Sequence, residues 1–289
     1  MMKNILLIVG GTGFIGLSLL NYLNKKKNNR FKKIITISTS NSKLEILKKF
    51  QNIKLQHISK KITKLKSLPE CDNIMYLALS KNSQKDVKNF EYFLNLLEKS
   101  KFKGKILYTS SGAVNKYLEN KKNKKFNHKD YAIAKIKNEN LLRKITSKNI
   151  KSSIARCYTF VGKFIPLNSN FVIGNIISSI LNKQTIVLKN SKKVVRSYMH
   201  TDELSKTLIN ILHKSNKNCL ICNVGSLDKV IIKKLCYKLS KKYGVNLETL
   251  KYKSNYEDIY LPIRLKKIPI ISAKMKSYES IVKTINELI

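Results

Sequence analysis

The feature that most constrains this chain is a glycine-rich turn set directly after its first apolar run. Residues 5–9 are Ile, Leu, Leu, Ile and Val, and Gly10-Gly-Thr12-Gly13-Phe14-Ile15-Gly16 follows without a break. A strand, this glycine spacing and then a helix form the context in which such a turn binds a dinucleotide. Gly10 permits the tight turn, Gly13 lets backbone N–H groups approach a pyrophosphate, and Gly16 lets the helix pack closely on the strand. The helix N-terminus offers unpaired donors and the positive end of its dipole to the phosphates. A plain glycine-rich turn is the bland alternative, and the flanking strand and helix argue against it.

Beyond the turn, apolar β-rich runs alternate with Lys-dotted amphipathic stretches, the pattern of βα units around a parallel sheet. Strands are expected at 4–9, 33–38, 53–58, 73–79, 105–110 and 151–157, and helices at 14–27, 43–50, 84–100 and 129–148. After residue 157 the rhythm changes. A loop holding Pro166 and Asn168 precedes a helix over 171–182, a short strand at 185–188, a polar turn at 189–193 and an extended stretch over 194–200. A helix over 202–213 and a strand over 219–224 return to the main sheet. The tail from 228 is expected to hold two helices, a Pro-punctuated segment at 262–269 and a final amphipathic helix. The Lys-rich pieces 24–33 and 121–125 are expected as solvated loops.

A second chemical signal is Tyr131-Ala-Ile-Ala-Lys135. Four residues is about one helical turn, so the phenol and the ammonium share a helix face. A nearby Lys⁺ favours phenolate, which suits Tyr131 as a general acid/base for interconverting a hydroxyl and a carbonyl. The pattern is common by chance on solvated helices. It gains force here from following the glycine turn and the segment Leu107-Tyr-Thr-Ser110-Ser111-Gly-Ala-Val114. That segment closes the fifth strand, at the carboxyl edge where open α/β sheets bind ligands. A hydroxyl there can hydrogen-bond the reacting oxygen together with the tyrosine, although a Ser/Thr turn explains the residues as simply.

The charge is unusual: 58 Lys and Arg against 17 Asp and Glu, formally +41. Basic surfaces attract phosphate chains, so nucleic acid has to be weighed. Against it, Arg occurs only at 30, 143, 156, 196 and 264, and the lysines run the whole length of the 289 residues rather than forming one patch. No nucleic-acid partner is expected, and the positive field instead draws in an anionic nucleotide. Five scattered cysteines do not form a secreted disulfide framework. Cys219 and Cys222 make a CxxC, but on a strand positions three apart face opposite ways, so no metal site is expected. No apolar run reaches the roughly 20 residues that span a bilayer, and the run at 5–9 is too short for a signal sequence. A cytoplasmic protein with no membrane partner is the expectation.

Taken together, these segments resemble the extended short-chain dehydrogenase/reductases, the NAD-dependent epimerase/dehydratase family. GGTGFIG resembles that family's cofactor loop, MYLAL (75–79) the strand end beside the nicotinamide, and Asn89 with LNLLE (94–98) its Asn-containing helix. TSSGAV and YAIAK resemble its catalytic strand end and tyrosine motif. ARCYTFVG (155–162), RSYMHTDEL (196–204) and NVGS (223–226) resemble its later signatures. The resemblance implies a Rossmann-like doubly wound parallel sheet with a smaller C-terminal substrate lobe. Residues 1–160, with return elements near 200–225, would form the NAD(P)-binding domain, and 161–289 mainly the substrate lobe. It implies that Gly10, Thr12, Gly13, Phe14, Ile15, Gly16, Leu77 and Ala78 line the cofactor. Ser111 would polarise the substrate, Tyr131 would act as acid/base, and Lys135 would tune Tyr131 and bind the nicotinamide ribose. Arg196 would hold the diphosphate of a nucleotide sugar, a task its fixed donors suit; an ion pair in the cleft wall is the alternative. A homodimer through helices of the first lobe is common in such proteins.

Several departures bear on function. The second strand ends in Ile37-Ser38-Thr39-Ser40, with no acid for the ribose hydroxyls. Ser38 and Thr39, with Lys43 near, would tolerate a 2′-phosphate, so the cofactor is NADP or NAD. Lys60 and Lys61 stand where an Asp is usual, Asn115-Lys116 replaces Tyr-Gly, and Thr159 replaces a frequent Asn. Gly112 and Ala113 follow Ser111 where dehydratases of the family carry acids. Eliminating water needs that extra group. Redox at one sugar carbon is therefore expected, in an epimerase or, favoured slightly by the missing acid on the second strand, a ketoreductase. A dehydratase and a non-catalytic dinucleotide binder are the remaining alternatives.

Overall fold

The computed structural model describes residues 4–26, 30–39, 43–119, 128–167, 171–188, 193–249 and 257–289. Its elements in chain order begin with β1 (Ile5–Val9), α1 (Phe14–Lys25), β2 (Lys33–Ser38), α2 (Leu44–Lys48), β3 (Leu55–Ser59) and a 3-10 turn at Ile62–Lys64. Next come β4 (Asn73–Tyr76), α3 (Ser83–Lys99), β5 (Gly104–Ser111), α4 (Ala113–Glu119), α5 (Lys129–Ile145) and β6 (Ile150–Cys157). Then follow β7 (Phe160–Val161), α6 (Val172–Leu181), β8 (Ile186–Leu188), β9 (Lys193–Ser197), β10 (Met199–His200) and α7 (Thr201–His213). The chain ends with β11 (Leu220–Gly225), β12 (Lys229–Ile231), α8 (Ile232–Tyr243), β13 (Leu247–Thr249), β14 (Glu257–Tyr260), β15 (Ile270–Ser272) and α9 (Ser277–Asn286).

The chain divides into two compact units. The first holds Met1–Cys157, Ser205–Asn223 and Leu265–Pro269, and the second the remainder. An eight-stranded sheet runs in the order β15-β11-β6-β5-β4-β1-β2-β3. The pairs from β3 through β2, β1, β4 and β5 to β6 are all parallel. The order reverses at β1, whose neighbours are β2 and β4, and that reversal is the switch point beside which open α/β sheets bind ligands. Strands β1, β4 and β5 are buried on both faces, which explains why they read as continuous apolar runs rather than alternating ones.

Between the strands, α3 buries Phe90, Phe93, Leu94, Leu96 and Leu97 along one stripe and is capped by Asn82, whose side chain accepts from the Lys85 N–H at 2.9 Å. Tyr76, Phe90, Phe93 and Tyr108 pack ring against ring beneath the sheet's carboxyl edge, with Tyr76–Phe90 and Phe90–Tyr108 centroids 4.7 and 4.8 Å apart. Each such burial contributes about 1.5–3 kcal/mol before entropy is counted. In the second unit, β9 sits between antiparallel β12 and parallel β14, while β8 pairs with β13.

The expected elements form with small shifts at their ends. Strand β4 stops at Tyr76 rather than 79, freeing Leu77 and Ala78 to turn against the glycine loop. Helix α4, seven residues directly after Gly112, was not anticipated. The tail differs more. Between α8 and the Pro-punctuated segment stand β13 and β14 where a second helix was expected, since α8 ends at Gly244 in the left-handed conformation (φ 65°) and Leu247–Thr249 pairs with β8. The loop at 121–125, residues 27–29 of the expected 24–33 loop, Ser40, Asn168 and the turn residues 189–192 lie outside the described residues.

Candidate active site

The glycine turn is built by close backbone approach. Gly10 lies at φ +94°, and a Cβ there would meet the Ala78 N at 2.7 Å. The Gly10 N–H donates to the Ile37 carbonyl at 2.8 Å and the Leu77 N–H to the Val9 carbonyl at 2.8 Å, so the ends of β2 and β4 converge on this turn. A Cβ on Gly16 would fall 2.4 Å from the Gly10 carbonyl oxygen, which is the packing constraint that the sequence implied. Gly13 is the N-cap of α1, and no side chain caps that helix. Phe14, Ile15 and Gly16 form the first turn, with Thr12 buried beneath it.

These residues fit a bound dinucleotide. Gly13, exposed at the N-terminus of α1, presents backbone with no side chain and no competing cap where a pyrophosphate would approach. At the end of β2, the buried Ser38 hydroxyl has no hydrogen-bond partner among the described residues, and Thr39 beside it is exposed. An orphaned hydroxyl there suits a ribose oxygen. Lys60 and Lys61, after β3, are exposed.

Serine, tyrosine and lysine arise from two neighbouring elements. Ser111 ends β5, buried, and its Oγ accepts the Ala113 N–H at 3.2 Å. Tyr131 and Lys135 lie one turn apart on α5, with the Lys135 Nζ 5.8 Å from the Tyr131 ring centroid. Tyr131 is half-buried, whereas Lys135 is almost wholly buried. The Lys135 ammonium donates to the Tyr108 hydroxyl at 3.0 Å and to the Asp86 carboxylate at 3.5 Å. Asn138, one turn further along α5, donates to the same two oxygens at 3.1 and 3.2 Å. Burial, and after it the Asp86 charge, push the Tyr108 phenol well above its ordinary range, so it stays protonated.

A second buried network lies beside the first. Arg156 on β6 grips Glu139, Ser110 donates to the same carboxylate at 2.6 Å, and Asn115 accepts from the Arg156 Nη1 at 2.6 Å and donates to Asn223 at 2.7 Å. Asn115 therefore departs from the usual Tyr because it serves as a neutral acceptor for a buried guanidinium. Sequence reasoning passed over Asp86, Tyr108, Asn138, Glu139 and Arg156. Spacing along α5 was the available signal, since Asn138 and Glu139 follow Lys135 by three and four residues.

Asn89, on α3 in the segment that resembles the family's Asn-containing helix, donates to the Ser80 hydroxyl at 2.9 Å. In the second unit, Arg196 bonds the Asp258 carboxylate at 2.7 Å and the carbonyls of Val195 and Asp258. Thr159 donates its hydroxyl to the Ser197 carbonyl. Cys219 precedes β11 and Cys222 lies within it; both are buried free thiols.

The family model described as the NAD dependent epimerase/dehydratase family matches residues 6–225. The chain belongs to that family. As a member it is an enzyme of an NAD-dependent class, and the glycine turn and Tyr131-x-x-x-Lys135 both fall inside the matched span. No curated protein sequence matches the chain. Among solved structures it is similar to a UDP-N-acetylglucosamine 4-epimerase from Methanobrevibacter ruminantium M1, at 21% identity over 99% of this chain and 98% of that one, with a TM-score of 0.76. It is also similar to a UDP-glucose 4-epimerase from Thermotoga maritima, at 17% identity over 98% of both chains with a TM-score of 0.75. A third, TunA, an NAD-dependent NDP-hexosamine 5,6-dehydratase, matches at 15% identity over 99% of this chain and 97% of that one, with a TM-score of 0.75. At these identities the likeness establishes the Rossmann-like fold. Among the described residues no helix is long and apolar enough to cross a membrane.

Proposed function

We propose that this family member is a nucleotide-sugar epimerase that uses NAD to oxidise and re-reduce one sugar carbon. The observation that carries the reading is the Tyr131–Lys135 pair on α5, with Lys135 buried beneath a half-exposed phenol at the carboxyl edge of the sheet. The similar 4-epimerases act on UDP-sugars, which favours a nucleoside-diphosphate sugar here. Gly112 and Ala113 supply no acid or base for eliminating water, which weighs against a dehydratase.

When bound, NAD supplies a hydride acceptor that can also return the hydride. Gly10, Thr12, Gly13, Phe14, Ile15 and Gly16 hold the pyrophosphate, Ser38 and Thr39 the adenosine ribose, and Leu77 and Ala78 flank the nicotinamide. Ser111 donates to the sugar oxygen at the reacting carbon. Tyr131 takes the hydroxyl proton and gives it back, and Lys135 favours the phenolate form while binding the nicotinamide ribose. Arg196, paired with Asp258, is the residue assigned to the sugar diphosphate, and the second unit selects the sugar. The setting is cytoplasmic, and a homodimer through helices of the first unit is the expected assembly.

A second reading, an NADP-dependent ketoreductase, is favoured by one feature: Ser38 and Thr39 stand where an acid would repel a 2′-phosphate. Denaturing the purified protein and identifying released nucleotide separates the two. Stoichiometric NAD⁺ or NADH, with interconversion of UDP-N-acetylglucosamine or UDP-glucose with its C4 epimer, supports the epimerase. An empty protein that binds added NADPH supports the reductase. A protein that neither holds nor binds a dinucleotide contradicts both.

A further inference from the structure

The Tyr-x-x-x-Lys pattern specifies nothing about what surrounds the lysine, yet here the ammonium sits in a closed ring of side chains. Lys135 is 3% exposed, Asp86 3%, and Tyr108 and Asn138 0%. An ammonium this deep is stable only when a counter-charge and hydrogen-bond acceptors meet it. The Asp86 Oδ2 faces it at 3.5 Å and also accepts from Asn138. Its Oδ1 is fixed by the Ser80 N–H at 2.8 Å. The carboxylate is thus held on three sides, at the first turn of α3, and two of the three ammonium hydrogens are directed at Asp86 and Tyr108.

We propose that Asp86 is a positioning residue for the Tyr131–Lys135 pair: it anchors the buried ammonium and keeps it charged beside the phenol. This rests on the reading of Tyr131 as the acid/base group.

The other groups near Lys135 and Asp86 do not supply that counter-charge. Glu139 on α5 is spent on Arg156 of β6 at 2.6 Å. Tyr76 on β4 and Tyr108 on β5 are kept neutral, first by burial and next by Asp86 itself. The Cys157 thiol on β6 is pushed up to about 12 by burial and is neutral near pH 7. Asn138 carries no charge. Asp86 is therefore the carboxylate that balances Lys135 among the described residues. Removing its charge leaves the buried ammonium without a counter-charge, which favours neutral Lys135 and takes its field from the phenol.

The test is a titration of protein labelled with ¹³Cζ-tyrosine, which needs no substrate. The resonance missing from Tyr131→Phe identifies Tyr131 among the 14 tyrosines. In Asp86→Asn, which preserves size and an acceptor for the Ser80 N–H, this resonance should titrate higher than in the wild type by about one pH unit, because the phenol loses the ammonium's field. Asp86→Ser, a smaller replacement, should show the same direction and serves should the amide not fold. Tyr108→Phe loosens the ring without removing charge and should move the titration much less. An unchanged or downward titration in the Asp86 variants overturns the inference, as does an equal shift in Tyr108→Phe. Full turnover by Tyr131→Phe would instead strike the proposed function and leave the titration readable.

Discussion

Arg156 binds Glu139 through two parallel bonds, Nε to Oε1 at 2.9 Å and Nη2 to Oε2 at 2.6 Å, with both side chains buried. The pair crosses from β6 to α5, the helix that carries Tyr131 and Lys135. Its fork geometry fixes the rotation of α5 against the sheet, and Ser110 and Asn115 complete the surrounding bonds.

Breaking this pair should be costly. Glu139→Ala leaves a buried guanidinium without its counter-charge, and a loss of about 3–5 kcal/mol is expected. That is a large share of a typical domain's stability. Urea unfolding of the wild type and variant checks it, and a loss below about 1 kcal/mol would remove the pair from the account.

The glycine turn makes a sharper demand on shape than on chemistry. Gly16→Ala places a methyl 2.4 Å from a backbone oxygen, which no rotamer can relieve. The first turn of α1 must shift, and dinucleotide affinity should fall by at least about tenfold, since those N–H groups bind the phosphates. Calorimetry with NADH reads this directly, and unchanged affinity would place the cofactor elsewhere.

The cysteines should be inert while the protein is folded. Burial pushes Cys71, Cys157 and Cys236 up to about 12, and raises Cys219 and Cys222 as well. Thiolate is the reactive form, so alkylation by iodoacetamide at about pH 8 should be slow natively and fast in denaturant for all five. Rapid native labelling of Cys157, Cys219, Cys222 or Cys236, located by mass spectrometry, would contradict their burial.

A pH dependence of stability follows from two histidines. Burial lowers His57, whose Nδ1 meets the Thr36 hydroxyl at 2.8 Å, and also lowers His213, where Lys105 and Arg30 add to the effect. Below the ordinary value of 6.5 the unfolded chain takes up protons before the folded one does. The contribution of both is complete above that value and is lost as pH falls through the lower folded-state values. Tm should therefore drop between about pH 8 and about pH 5.5, and His57→Gln should flatten the slope. An identical slope in the variant would exclude His57.

Much of this was legible in the sequence because its signals are local. Residues 5–16 announce strand, turn and helix by composition and glycine spacing, and the structure closes Gly10 against Ala78 and Gly16 against Gly10. Tyr131 and Lys135 were readable because four residues make one helical turn. Asp86 and Arg156 were not, since their partners lie 49 and 17 residues away, and only folding brings them together. Asn115 looked like a departure until Arg156 and Asn223 were seen on either side of its amide. In the tail, the short strands β13 and β14 were missed because three or four residues carry too little periodicity, and pairing with β8 and β9 decides their conformation.

The most direct test of the central claim is turnover by Tyr131→Phe. The variant keeps the ring and loses only the hydroxyl, so the fold and NADH binding should match the wild type. If Tyr131 moves the proton, the rate with UDP-N-acetylglucosamine or UDP-glucose, whichever the wild type converts, should fall by about 10²–10⁴-fold. A variant that binds NADH and turns over at the wild-type rate would show that the proton passes through another group.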